Sequence, residues 1–97
     1  MPAGYLIAQV DVKDAEKYET YKADTPAAIA KYDGEFIVRG GQFEAVEGAP
    51  PLGRVVVVKF PSYARALEFY HSDDYKELLA LRLSVSNSRT FIIEGAD

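Results

Sequence analysis

The stretch from Arg54 to Phe60, RVVVVKF, constrains this chain more than any other part of its sequence. Four consecutive β-branched residues suit a pleated surface and are stiff in a helix, so the segment reads as a strand. Alternate residues of a strand point to opposite faces, which sends Val56, Val58 and Phe60 to one side and Val55 and Val57 to the other. Both faces are apolar. The fold must therefore set this strand inside a sheet with cover on each side.

The remaining chain supplies elements of both kinds. YLIAQVDV at 5–12 reads as a strand, and Asp14 after it can cap a helix. Along 14–32, Tyr18, Tyr21, Thr25, Ile29 and Tyr32 recur at spacings of three or four, one face of an amphipathic helix. Pro26 lacks an N–H and crowds the preceding turn, so a break or kink is expected there, with Thr25 capping a new start. Asp33-Gly34 reverses the chain, and EFIVRGG follows as a strand that ends or bulges at Gly40-Gly41. Residues 42–53, carrying Gly48, Pro50, Pro51 and Gly53, form an irregular hairpin connection into the valine strand. Pro61-Ser62 stops that strand and starts a short helix with Tyr63, Ala66, Leu67 and Tyr70 on one face. Ser72-Asp73-Asp74 caps another helix that runs to about Ser86, and Asn87-Ser88 leads into a last strand, RTFIIEG.

The order β-α-β-β-α-β, with the second α split in two, is the ferredoxin-like one: an α+β fold with a four-stranded antiparallel sheet and helices on one face. The last strand likewise offers Ile92 to one side and Phe91 and Ile93 to the other, so whichever face the helices leave bare is apolar. An apolar surface of that size predicts packing against a second copy of the chain, a homodimer. Cover by the terminal segments or by the long loop is the alternative.

With 97 residues, 48% hydrophobic and 27% charged, the chain is expected to be one domain spanning 1–97. A net charge of −4 with scattered basic residues leaves no electrostatic footprint for nucleic acid or an anionic membrane surface. No apolar run reaches the roughly 18–20 residues of a membrane span, and Met1 to Val10 lacks the layout of a secretory signal, so a cytoplasmic location is expected. The absence of Cys removes disulfides, iron–sulfur clusters and thiol nucleophiles, and His71 as the single histidine cannot build a multi-histidine metal site. No dinucleotide fingerprint is present either. Neither a cofactor nor a metal is expected.

Four features point to chemistry. Tyr75, Leu78, Leu79, Arg82 and Ser86 follow the spacing of a core-facing helical stripe, with an arginine inside it. A covered guanidinium needs a carboxylate, a row of carbonyls or a bound anion. Either Arg82 pairs with a carboxylate such as Asp11 or Glu94 or snorkels to solvent, or it anchors an acidic or carbonyl-bearing ligand. Arg39 stands directly before Gly40-Gly41, where glycines let a ligand or another backbone approach closely, although an edge-strand arginine before a bulge is the plainer reading. His71 is the only side chain whose ordinary pKa lies near neutrality, which makes it the natural proton carrier, although a lone histidine is more often a surface residue or a helix-terminal partner. Tyr18, Tyr21, Tyr32, Tyr63, Tyr70 and Tyr75 sit on or near helical core faces, as core residues or as pocket walls with phenols to offer. The serines lack a nucleophile elbow, and capping explains Ser62 and Ser72.

The sequence resembles the domain of unknown function 1330 family, small bacterial proteins of the dimeric α+β barrel superfamily. The resemblance is carried by GYLIAQVDVKD at the start, Tyr18 with Tyr21, FIVRGG at 36–41 and Glu47-Gly48 before the proline pair. It continues through VVVVKFPS at 55–62, the Ser72 to Tyr75 segment, Arg82 and SRTFIIEG at 88–95. It implies two ferredoxin-like subunits joined sheet to sheet and a ligand cleft between sheet and helices. The positions matching the family's recurrent polar residues are Tyr18, Arg39, Ser72, Tyr75 and Arg82, a ligand-binding set to which His71 is added as the proton carrier beside Arg82. Related families include cofactor-independent monooxygenases and muconolactone isomerases. Haem-using relatives are a poorer match, because this chain has no Trp and only one His. The resemblance thus implies a cofactor-independent enzyme of monooxygenase or isomerase type acting on a small anionic or phenolic molecule. The alternative is a non-catalytic ligand-binding or structural homodimer.

Overall fold

A computed structural model describes residues 2–96. Its elements are β1 (Gly4–Val12), α1 (Ala15–Lys31), β2 (Glu35–Arg39), β3 (Arg54–Phe60), α2 (Tyr63–Tyr70), α3 (Asp73–Val85) and β4 (Ser86–Glu94). The strands form one antiparallel sheet in the order β2-β3-β1-β4, which is the ferredoxin-like α+β arrangement expected from the sequence. Side-chain caps start the helices where the sequence places them: Asp14, Ser62 and Ser72 accept from the backbone N–H groups of Lys17, Arg65 and Tyr75. No helix among the described residues is long and apolar enough to cross a membrane.

The core lies between one sheet face and the helices. Leu6, Ala8 and Val10 of β1 and Val58 and Phe60 of β3 meet Tyr18 and Ile29 of α1, Ala66 and Phe69 of α2, and Tyr75 and Val85 of α3. The opposite sheet face carries no helix. There Phe91 and Ile93 of β4 are about half exposed (49% and 50%), alongside Ile7 of β1 and Val57 of β3.

Two expectations fail, each for a physical reason. Pro26 does not break α1, which runs unbroken from Ala15 to Lys31. The proline strands the carbonyl of Lys22, one turn back, and the Arg39 guanidinium donates to that carbonyl at 3.1 Å from β2. The helix continues because a side chain from elsewhere replaces its missing donor. Asn87-Ser88 is not a lead-in to the last strand either. Ser86, Asn87 and Ser88 already pair with Val12, Asp11 and Val10, and α3 passes directly into β4. The long β1 partner overrides the local turn preference of Asn and Ser. The Ser86 hydroxyl closes the junction by donating to the Arg82 carbonyl at 2.5 Å.

One irregularity positions the site. The β2–β3 register slips between Phe36 and Val38, so Ile37 is an extra residue. Strict alternation would put Arg39 on the face opposite Phe36. The bulge reverses this: Val38 lies across from outward Val57, and Arg39 lies across from inward Val56.

Candidate functional site

A cleft opens between the inner sheet face and α1 and α3, with roughly 530 Å³ of empty space including its open mouth. Apolar side chains such as Val10, Val56 and Phe69 make up much of the wall. The polar groups set into it are the phenols of Tyr18, Tyr21 and Tyr75, the hydroxyl of Thr25, and the cations Lys22, Arg39, Arg54 and Arg82. No Asp, Glu or His is among the lining residues.

The deep end is built on α3 and β4. Tyr75 and Arg82 are seven residues apart, two helical turns, and so share a face. Ser88 and Thr90 alternate inward on β4, in register with Val10 and Ala8. Arg82 is only 2% exposed. Its Nη1 donates to Ser88 Oγ at 2.6 Å and to Thr90 Oγ1 at 3.4 Å, and its Nε donates to Tyr75 Oη at 3.4 Å. None of these bonds engages Nη2. The pairing expected with Asp11 or Glu94 does not form: Asp11 pairs with Lys13 at 2.9 Å, and Arg82 makes no ion pair among the described residues. Burial opposes the Arg82 charge, yet the phenols of Tyr75 and Tyr21 around it hold its pKa above the ordinary arginine value, so it is a fixed cation. Tyr75 Oη lies 2.6 Å from Tyr21 Oη. Burial, reinforced by Tyr75, pushes the Tyr21 phenol well above its ordinary pKa, so it stays protonated.

Two further arginines stand at the mouth. Arg39, turned inward by the bulge, lies over the Phe36 ring with its guanidinium 4.5 Å from the centroid. Arg54 opens β3 opposite Val10 and therefore shares the inward face of Val56 and Val58. Its guanidinium is 5.9 Å from the Tyr18 ring centroid and packs on Gly40. The Gly40 backbone has φ +70°, which favours glycine, and a Cβ there would lie 3.0 Å from Arg54 Cζ and crowd the guanidinium. The Tyr18 phenol is within electrostatic reach of Arg54, Arg82 and Arg39, which draw its pKa down, but burial outweighs them and the pKa is raised.

Of the residues singled out in the sequence, Tyr18, Arg39, Tyr75 and Arg82 line this one cleft, and Ser72 and His71 do not. Ser72 caps α3, its Oγ accepting from Tyr75 N–H at 3.3 Å and donating to the Phe69 carbonyl at 2.6 Å. It orients the turn that carries Tyr75. His71 ends α2, exposed and edge-on to Tyr70 at 5.5 Å between ring centroids. Arg54 escaped the sequence reading, although β3 alternation, counted back from Phe60 through Val58 and Val56, reaches it on the inward face. No group of three or more His, Asp or Glu among the described residues could hold a metal ion.

Comparison with solved structures identifies the fold. A protein of unknown function from Rhodopseudomonas palustris superposes with a TM-score of 0.77 at 20% identity, covering 99% of this chain and 84% of that one. SnoaB, a cofactor-independent oxygenase from Streptomyces nogalater, gives 0.67 at 12% identity, covering 100% and 96%. A putative antibiotic biosynthesis monooxygenase from Nitrosomonas europaea gives 0.55 at 14% identity, covering 96% and 89%. Among curated proteins the sequence finds no match. The family model for a domain of unknown function, DUF1330, matches residues 3–96, nearly the whole chain, and this protein belongs to that family.

Proposed function

We propose that the cleft binds a small anionic or phenolic molecule and acts on it without a cofactor, in the manner of a monooxygenase or an isomerase. The observation that carries this reading is a sign reversal. A chain of net charge −4 gathers three arginines around one apolar cleft, with a lysine beside them whose ammonium pairs with Glu19 at 3.3 Å, and leaves every carboxylate out of its lining. In a low-dielectric cleft such cations act strongly on a negative charge. An oxygen placed to accept from Arg82 Nη2 and from a tyrosine hydroxyl would be stabilised as it ionises, which is what an enolate- or phenolate-forming reaction requires. The likeness of fold to a cofactor-independent oxygenase is consistent with this.

One observation favours a second reading, binding without turnover: the lining contains no carboxylate or imidazole to serve as a base, and His71 stands outside it. Either reading is compatible with a homodimer, which we propose closes over the bare sheet face around Phe91 and Ile93. Light scattering should give about twice the 10.7 kDa of the chain, and Phe91→Glu should shift the population toward monomer.

The deciding experiment is a thermal-shift screen of small aromatic acids, phenols, keto acids, flavin and haem, since a ligand of the folded state raises the melting temperature. The expected result is stabilisation by one class of acid or phenol, reduced in Tyr75→Phe. Product formation from that compound, followed by NMR, separates the enzyme from the binder. A screen flat for all acids and phenols overturns both readings.

A further inference from the structure

Arg54 is the arginine of the cleft for which the fold gives no account. Arg82 spends its Nε and Nη1 on Tyr75, Ser88 and Thr90, and Arg39 completes the helix at Pro26. The Arg54 side chain makes no hydrogen bond and no ion pair among the described residues, and its Nε is buried without a partner. A buried donor left unpaired costs about 1–3 kcal/mol, and more when it is charged. At an inward position of β3, followed on the same face by Val56, Val58 and Phe60, a chain that needed only to fold would carry another apolar residue. The guanidinium is nonetheless held in place. Gly40 leaves it room on one side, and the Tyr18 ring lies 5.9 Å away on another.

We propose that Arg54 is the carboxylate anchor of the cleft, so that its ligand is a bifunctional acid, carrying a carboxylate at the mouth and a phenol, enol or keto oxygen at Tyr75 and Arg82. This rests on the reading of the cleft as a ligand site and narrows it from any small anion or phenol to hydroxy- and keto-substituted acids. The chemistry fits the group: a guanidinium edge presents two parallel N–H donors to the two oxygens of a carboxylate, and an arginine with its donors unspent binds a planar anion better than a lysine can. The second anchor is also available, since Arg82 Nη2 has no protein partner among the described residues.

The test uses the 2-, 3- and 4-hydroxybenzoates and the matching hydroxybenzamides as probes, titrated calorimetrically into the wild-type protein, Arg54→Gln and Arg54→Lys. Each pair differs at the carboxyl position alone, where a neutral amide with one acceptor oxygen replaces an anion with two. For the best-fitting isomer, wild type should bind the acid roughly tenfold or more tighter than the amide, the scale of a charge-assisted hydrogen bond. Arg54→Gln should bring that ratio near one by weakening the acid far more than the amide, and Arg54→Lys should restore only part of it. An acid-to-amide ratio in Arg54→Gln equal to that of wild type overturns the anchor, as does a wild-type ratio near one. Both of those outcomes leave the cleft standing as a phenol site. Failure of wild type to bind any isomer of either series overturns the anchor, and a thermal-shift screen that is flat for keto acids and phenols as well overturns the ligand site with it. Because the Arg54 side chain bonds to nothing in the described fold, the variants should remain folded, and their denaturation curves verify this.

Discussion

The two ends of the cleft solve the same electrostatic problem in different ways. At the deep end the Arg82 guanidinium is almost fully buried, and the chain has supplied it with two hydroxyls on β4 and a phenol on its own helix. At the mouth the Arg54 guanidinium sits on glycine and an aromatic ring, with a buried Nε that nothing answers. Neither end uses a carboxylate. Hydroxyls and phenols satisfy a cation without neutralising it, so the deep end keeps its positive charge while remaining part of the folded core. The mouth keeps both its charge and its hydrogen bonds. A residue that the fold completes contributes to stability, and one that the fold leaves incomplete is costly to stability and useful to a ligand.

This difference predicts opposite signs for two substitutions of the same residue type. Arg82→Ala removes three hydrogen bonds to a charged group, leaves Ser88 and Thr90 facing an apolar space, and opens a hole behind Tyr75. It should destabilise the protein by about 2–4 kcal/mol, lowering the melting temperature by roughly 10–20 °C for a domain of this size. Arg54→Met keeps the packing of the stem on the inner sheet face and deletes the unanswered donor. Its stability should equal wild type or exceed it by up to about 1 kcal/mol. Urea denaturation of the two variants measures both effects. Equal losses would mean that Arg54 is as structural as Arg82, and the contrast between the two ends would disappear.

The deep end was more legible in the sequence than the mouth, and the reason is geometric. Helical spacing alone puts Tyr75 and Arg82 on one face of α3, so reading that stripe finds half of the site. The fold was legible for a similar reason, because β-branched runs, capping residues and Asp-Gly turns act over a few neighbours. Arg39 reaches the cleft only through the extra residue at Ile37, and a bulge leaves little mark on the alternation that a strand reading relies on. The local cost of Pro26 predicts a break, whereas the Arg39 donor that offsets it arrives from another strand. Arg54 stands at the head of the four valines, and the same alternation that sorts them places it inward. His71 is a candidate by its chemistry as a residue type alone. Nothing in its sequence position spoke to whether its ring meets the cleft, and its exposed place at the end of α2 does not bring it there.

The smallest expected effect sharpens the contrast at the link between α1 and α3. Tyr21 and Tyr75 share a hydrogen bond of 2.6 Å, and Tyr21→Phe removes it while leaving Tyr75 its bond from Arg82. At neutral pH the loss should be about 1 kcal/mol, the worth of a neutral hydrogen bond. Alkaline pH gives a second, independent reading of the same group. Burial and Tyr75 raise the folded-state pKa of Tyr21, whereas the unfolded chain releases that proton near the ordinary value of about 10. Below that pH the contribution is fully present. Above it the unfolded state binds fewer protons than the folded one, so stability falls as pH rises, with a slope that approaches about 1.4 kcal/mol per pH unit for this one group. The phenylalanine variant lacks that slope. The gap between wild type and Tyr21→Phe in urea denaturation should therefore be widest at neutral pH and close near about pH 10.5 to 11. A gap constant across that range would mean that the Tyr21 phenol ionises as easily in the folded protein as in the unfolded chain. The deep end would then be wet and open like the mouth, and the buried cation at Arg82 would have to draw its stability from solvent instead of from the phenol pair.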